Sequence, residues 1–101
     1  MKTNGIEVTR TDTLHGGRYE AVTRAGRIIG ELTYDRAPDD IIVAKHTEVD
    51  VSERGKGIAR QLVERLVADA RTEDAKILPR CAYVRSRFES HPEWRDVLKR
   101  G

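Results

Sequence analysis

The sequence predicts a mixed α/β (α+β) domain, and three observations carry that prediction. Short strand-like runs crowd the first half of the chain, an amphipathic helical stretch opens at a glycine-rich joint near residues 54–59, and a further strand candidate follows that helix. Strands first, then a strand–helix–strand unit, then a terminal helix, is the order of a mixed sheet covered by helices.

Residues 6–9 (IEVT) form the first short strand candidate, followed by the loop TDTLHGG. Residues 18–24 and 28–34 flank Ala25-Gly26 and read as a hairpin whose loop is slightly longer than the ideal two-residue turn, because Ala25 fits that turn poorly. After the turn formers DRAPDD at 35–40 comes the longest strand candidate, IIVAKHTEVDV at 41–51. Strict alternation puts Ile41, Val43, Lys45, Thr47, Val49 and Val51 on one face, and Ile42, Ala44, His46, Glu48 and Asp50 on the other. The second face turns polar halfway, as expected of a strand that leaves the core to border a cleft. From Gly57 to Arg71, Ile58, Ala59, Leu62, Val63, Leu66, Val67 and Ala70 recur at helical spacing. Arg60 with Glu64 and Arg65 with Asp69 are i,i+4 pairs. KILPRCAYV at 76–84 reads as an edge or splayed strand, since Pro79 cannot donate to a ladder. A helical or irregular piece runs on to Phe88, and HPEWRDVLKR forms a short C-terminal helix with Pro92 at its first position and Trp94 as a core anchor.

At 101 residues with no linker or repeat, residues 1–101 are expected to form a single domain. Basic and acidic residues number 19 and 17, a net charge of +2, and they are interspersed. That balance argues against nucleic-acid or membrane partners, which need clustered charge of one sign. Cys81 stands alone, which excludes an internal disulfide framework and suits a reducing compartment. MKTNGIEVTR has no apolar run for a signal peptide and no segment approaches membrane-spanning length, so a soluble cytoplasmic protein, monomeric or weakly dimeric, is expected.

The joint itself, VDVSERGKGIARQLV at 49–63, places glycines between a strand end and a helix N-terminus. Glycine permits positive φ and close approach, and the first helical turn leaves N–H groups free at the positive end of the helix dipole. These are the elements of an anion site suited to phosphate, to which Arg54, Lys56 and Arg60 add positive charge. Lys56 is followed by Gly57 rather than Ser or Thr, which excludes the magnesium-binding P-loop; Arg60 stands where the dinucleotide fingerprint needs its third glycine. Spacing alone leaves open an ordinary strand-to-helix turn.

Arg54-Gly55-Lys56-Gly57-Ile58-Ala59 resembles the R/Q-x-x-G-x-G/A signature of the GNAT acetyltransferase superfamily. His46-Thr47-Glu48-Val49, Pro79-x-Cys81-x-Tyr83-Val84, Phe88 and His91-Pro92-Glu93-Trp94 extend the resemblance to the short stand-alone YjdJ-type group, over about residues 19–95. The resemblance implies a minimal GNAT fold with a mostly antiparallel sheet and splayed central strands. It implies acetyl-CoA as cofactor, its pyrophosphate in the loop Arg54–Ala59 and its pantetheine between strands at 46–51 and 77–82, where backbone groups around Val49, Asp50 and Val51 would receive it. The larger enzymes carry two helices between their first two strands. Here only about Thr11 to Gly17 separates those strands, so acceptor recognition does not carry over.

Acetyl transfer to an amine needs a base, because a lysine amine of pKa about 10.4 is neutral in only roughly one molecule in two thousand at pH 7. His46, two residues from Glu48, is the candidate base; the other reading is a strand-end histidine hydrogen-bonded into the fold. Cys81, at the end of the strand expected to line the thioester cleft, is the second catalytic candidate, either as a nucleophile that first accepts the acetyl group or as a wall of the pocket. Tyr83 could approach the cofactor, and Arg85 or Arg87 could reach its adenosine phosphate, against packing and solvated surface respectively. His15 reads as loop and His91 as a helix cap. No pair among His15, His46, Cys81 and His91 has local ligand spacing, so no metal site is expected. The expected function is N-acetyl transfer to a small-molecule or protein amine; the alternative is a CoA-binding or protein-interaction module without turnover, since nothing obvious holds an acceptor.

Overall fold

In a computed structural model, which describes residues 5–100, five strands form one sheet in the order β1-β2-β3-β4-β5. β1 (Glu7–Asp12), β2 (Gly16–Val22), β3 (Ile28–Ala37) and β4 (Ile41–Val49) make an antiparallel meander. β5 (Lys76–Pro79) joins β4 in parallel after the crossover helix α1 (Ile58–Glu73). A shorter helix, α2 (Ala82–Ser90), and a 3-10 segment, Pro92–Val97, close the chain. The mixed α+β fold and the hairpin around Ala25-Gly26 are as the sequence predicts.

The boundaries differ in informative ways. β1 runs to Asp12, so only residues 13–15 separate it from β2. Thr13 makes this turn possible: its N–H and hydroxyl both donate to the Gly16 carbonyl. The strand expected to reach Val51 stops at Val49, and Val51–Glu53 coil into a 3-10 turn. The strand expected over 76–84 stops at Pro79; Ala82, Tyr83 and Val84 instead open α2, with Cys81 as its N-cap. The C-terminal helix is a 3-10 segment carrying Pro92 in its first turn.

Alternation along β4 is broken. Thr33 faces His46 but Tyr34 faces Ala44, so Lys45 is an unpaired bulge residue. Thr47 therefore lies opposite the fully buried Leu32, and Ala44 opposite the fully buried Tyr34, on one and the same face. This corrects the two faces read from strict alternation: Ile42 and Ala44 share the core face with Thr47 and Val49, while His46 and Glu48 turn to the other side.

α1 covers that core face. Ile58, Leu62, Val63, Leu66, Val67 and Ala70 are all buried, against Tyr19, Ile29, Leu32, Tyr34, Ile42 and Ile77. Burying side chains of this size stabilises by about 1.5–3 kcal/mol each before chain entropy is counted. Gly30 seats the helix start, because a side-chain carbon there would come within 3.0 Å of Ile58 Cγ2. At the other end α1 is tied down by charge. Asp69 accepts hydrogen bonds from Tyr19 Oη (2.8 Å), Arg10 Nη1 (3.2 Å) and Arg65 Nε (3.1 Å), and Arg65 Nη1 donates to the Val8 carbonyl at 2.9 Å. Trp94 is the anchor the sequence suggests, edge-on to Phe88 at 5.6 Å and stacked on His91 at 4.1 Å. No helix among the described residues is long and apolar enough to cross a membrane.

Candidate functional site

β4 and β5 pair only from Ile41↔Lys76 to Ala44↔Pro79. There β5 ends, and the N–H groups of Arg80 and Cys81 both donate to the Ala44 carbonyl at 3.0 Å. Beyond that fork β4 continues to Val49 paired only with β3, so from Lys45 onward no strand lies on its β5 side. The splay expected at 46–51 thus exists, but its second wall is the first turn of α2, not a strand over 77–82.

The glycine joint lies at the far end of this opening. Gly57 caps α1 in the left-handed conformation (φ 78°) and supplies no side-chain cap bond, and no acidic residue occupies the first turn. The first intrahelical bond runs from the Gln61 N–H to the Gly57 carbonyl, leaving the N–H groups of Ile58, Ala59 and Arg60 directed out of the helix end. A cleft of about 300 Å³ faces them, lined by Val49, Glu53, Arg54, Gly55, Gly57, Ile58, Ala59, Arg60 and Tyr83. Arg60 does not pair with Glu64. Its Nη2 lies 2.9 Å from where a Gly57 side-chain carbon would be, so the guanidinium folds back over the helix end. A side chain at position 57 would both strain the backbone and displace that cation. Arg54 donates only to the Val49 carbonyl, at 3.4 Å. Lys56 is tied to Glu53 at 3.0 Å, and Arg27 holds Glu53 at 3.2 Å and Asp50 at 3.1 Å. Free helix N–H groups with two arginines that lack a carboxylate partner fit a phosphate or pyrophosphate group. The residues present therefore fit the pyrophosphate of a coenzyme A ester.

Asp50 and Val51 are engaged by the fold: the Asp50 N–H donates to the Ile29 carbonyl at 2.9 Å, and the Val51 carbonyl accepts from the Arg54 N–H at 3.3 Å. The Val51 side chain is exposed and does not line the cleft. Tyr83 lines the same cleft from α2. Arg87, one turn further along α2, turns its Nη2 to His91 Nε2 at 2.9 Å, and His91 Nδ1 meets Glu93 at 2.8 Å. That chain draws Arg87 towards the C-terminal segment.

Cys81 Sγ lies 3.5 Å from Thr47 Oγ1. Partial burial raises the thiol pKa, but hydrogen bonds from the Thr47 hydroxyl and from the N–H groups of Val84, Tyr83 and Thr47 outweigh it and hold the group below its ordinary value. Thr47 does not stand out in the sequence, because strict alternation puts it on the wrong face; only the bulge at Lys45 turns it towards Cys81. His46, the neighbour of Thr47, points to the opposite face, with its side chain 68% exposed and Nε2 3.7 Å from Glu48. Among the described residues no hydrogen bond or ion pair joins His46 to Cys81, and no group of histidine, cysteine and carboxylate side chains could hold a metal ion.

Residues 18–97 match the family model described as GCN5-related N-acetyl-transferase. No curated protein matches the chain. Among solved structures, a GCN5-like protein from Staphylococcus aureus is 19% identical with a TM-score of 0.68, and the match covers 96% of this chain and 91% of that one. A ribosomal-protein-alanine N-acetyltransferase from Brucella melitensis biovar Abortus 2308 is 18% identical with a TM-score of 0.64, over 88% of this chain and 65% of that one. A GNAT family acetyltransferase from Elizabethkingia anophelis, solved with acetyl-CoA bound, is 15% identical with a TM-score of 0.63, over 74% of this chain and 64% of that one. At these identities the likeness is one of fold.

Proposed function

The chain belongs to the GCN5-related N-acetyltransferase family, and from that premise we propose that it transfers an acetyl group from acetyl-CoA to an amine acceptor, by direct attack of the amine on the thioester. One observation carries the reading: an uncapped helix N-terminus with two arginines lacking carboxylate partners stands at the end of an opened sheet.

Acetyl-CoA, when bound, supplies an activated carbonyl and a thiolate leaving group. The N–H groups of Ile58, Ala59 and Arg60, with the Arg60 and Arg54 guanidiniums, hold the pyrophosphate. The strand-free side of β4 and the Tyr83 side chain border the pantetheine. His46 is the base: an exposed imidazole beside Glu48 takes the proton of an amine arriving from solvent. Cys81 and Thr47 form the core-side wall of the opening. The strand alternation that separates His46 from Thr47 argues against a paired cysteine–histidine nucleophile, which supports direct transfer over an acetyl-cysteine intermediate.

Acetyl-CoA at about one hundred times its Kd should stabilise the chain by roughly 2.7 kcal/mol, a rise in melting temperature on the order of 10 °C for a domain this size. Gly57→Val should abolish the rise, and intact mass after incubation should show no acetyl group on Cys81. No rise in the wild type at saturating ligand would overturn the cofactor assignment; an acetyl adduct lost in Cys81→Ala would overturn direct transfer.

A further inference from the structure

A second cavity, of about 350 Å³, opens on the other side of α2 from the acetyl-CoA cleft. Its walls are Pro79 at the end of β5, Arg85, Phe88 and Glu89 on α2, His91, Pro92 and Arg95 on the 3-10 segment, and Leu98 and Arg100 on the chain that returns along β5. The return is fixed by backbone: Leu98 bridges Ile77, and the Lys99 N–H donates to the Ile77 carbonyl at 2.8 Å. The floor is apolar and the rim is cationic.

Three arginines against one glutamate give the rim an excess charge of +2, as large as that of the entire chain. Nearby carboxylates do not quench it. Asp96 is held by Arg71 at 2.9 Å, and Glu93 is turned to His91. Arg85 donates only to the Arg80 carbonyl, at 3.2 Å, and Arg95 and Arg100 have no carboxylate partner among the described residues. Guanidinium groups left unpaired around an apolar floor recognise carboxylates joined to apolar side chains. The one exposed ring face that could stack a base is missing, because Phe88 is buried and the His91 ring is already stacked on Trp94. Charge and shape therefore favour an acidic peptide over a nucleic acid.

The cavity is also joined to the transfer site. Pro79, in its wall, is the residue at which β5 leaves β4, and the Arg85 N–H donates to the Cys81 carbonyl at 2.9 Å, one helical turn away. A chain lying in the cavity leaves it close to the fork between the strands. We propose that the acceptor is a polypeptide and that this cavity docks an acidic, apolar-containing segment of it, so that acceptor choice is made at Arg85, Arg95 and Arg100 in place of the helices the larger enzymes insert between β1 and β2. The docking stands on the cavity itself; its role in acceptor choice rests on the transfer reaction proposed above.

The test uses the intact chain and a fluorescein-labelled octapeptide with four glutamates among leucines, its glutamine isostere, and a single-stranded DNA oligonucleotide of equal net charge. Fluorescence anisotropy should show the acidic peptide binding at least about tenfold more tightly than the isostere or the DNA. Arg95→Glu with Arg100→Glu should weaken it about tenfold or more. A control with the same charge change on the β2 side, Arg18→Glu with Arg24→Glu, should weaken it less than about threefold. Equal weakening by both double variants, equal binding of the isostere, or tighter binding of the DNA overturns the docking site. With a free N-terminus, the acidic peptide should be acetylated at a lower KM than the isostere, with kcat alike; equal KM values overturn its role in acceptor choice. Acetyl-CoA should still raise the melting temperature of Arg95→Glu/Arg100→Glu. If it fails to do so in the wild type, the cofactor reading falls while the anisotropy still decides the cavity.

Discussion

The two ends of α1 hold arginines under opposite conditions. At the C-terminal end the charges are matched. Arg10 lies over the rings of Tyr19 and Tyr34, its centre 5.2 and 5.3 Å from theirs, and its guanidinium meets Tyr34 Oη, Asp69 and Glu73. Arg36 bridges Asp12 at 2.9 Å and Glu73 at 3.2 Å. At the N-terminal end Arg54 and Arg60 have no carboxylate partner among the described residues, and the helix supplies no cap. Paired guanidiniums fasten β1, β2 and β3 to the helix that covers them. Unpaired ones keep their donors free, and the dipole of the same helix favours an anion beside them. One helix is thus a structural clamp at one end and a candidate binding site at the other.

Four substitutions test that contrast and the wall of the opening beside it. The largest effect is expected from Arg10→Ala, which takes a cationic partner from Asp69 and Glu73 in a partly buried setting and uncovers the rings of Tyr19 and Tyr34; about 2 kcal/mol of stability should be lost in urea unfolding, with little change in acetyl-CoA affinity. Arg60→Ala is its mirror, costing under about 0.5 kcal/mol of stability while weakening acetyl-CoA roughly tenfold by calorimetry. Similar stability losses in the two variants would erase the distinction.

Thr47→Val keeps the shape of the wall and removes the hydroxyl that favours the Cys81 thiolate. The pH midpoint for iodoacetamide alkylation of Cys81 should lie below that of a free thiol in the wild type and move up in the variant; an unmoved midpoint would mean that the backbone N–H groups of Val84, Tyr83 and Thr47 set the ionisation without the hydroxyl.

The smallest effect concerns Asp12. Burial raises its pKa, but hydrogen bonds from Arg36 and Tyr34 and the charges of Arg36 and Arg10 prevail and hold it below 3.8. A carboxylate whose folded pKa is depressed stabilises the fold above its ordinary value, and that stabilisation is lost as pH falls through the folded one. Between pH 5 and 2 the melting temperature of Asp12→Asn should therefore fall less steeply than that of the wild type, by an amount worth about 1 kcal/mol or less because the side chain is partly exposed. Parallel curves would remove Asp12 from the clamp.

Much of this was legible in the residues. The apolar stripe from Ile58 to Ala70 placed α1, and Gly57 with the flanking arginines marked the candidate anion site at its start, because both depend on neighbours one helical turn apart. The clamp was legible only in part: Arg65–Asp69 is a local pair, but Arg10–Asp69 and Tyr34–Asp12 join elements far apart in the chain. Pro79 marked the place where β5 leaves the sheet. That the chain then forms α2 rather than more strand was not legible, because Ala82-Tyr83-Val84 suits either state and only packing of Val84 and Phe88 into the core decides.

By itself, then, the sequence determined the fold class, the main helix and the glycine joint at its start, since helical periodicity and glycine conformation are local properties. The tertiary structure alone decided which side chains meet across the opening. A single bulge at Lys45 inverts the second half of β4, bringing Thr47 to Cys81 and turning His46 to solvent, and a bulge is a property of two strands paired in register, which one strand cannot announce. The basic cavity arises the same way, from Arg85, Arg95 and Arg100 brought together by α2 and a returning chain end.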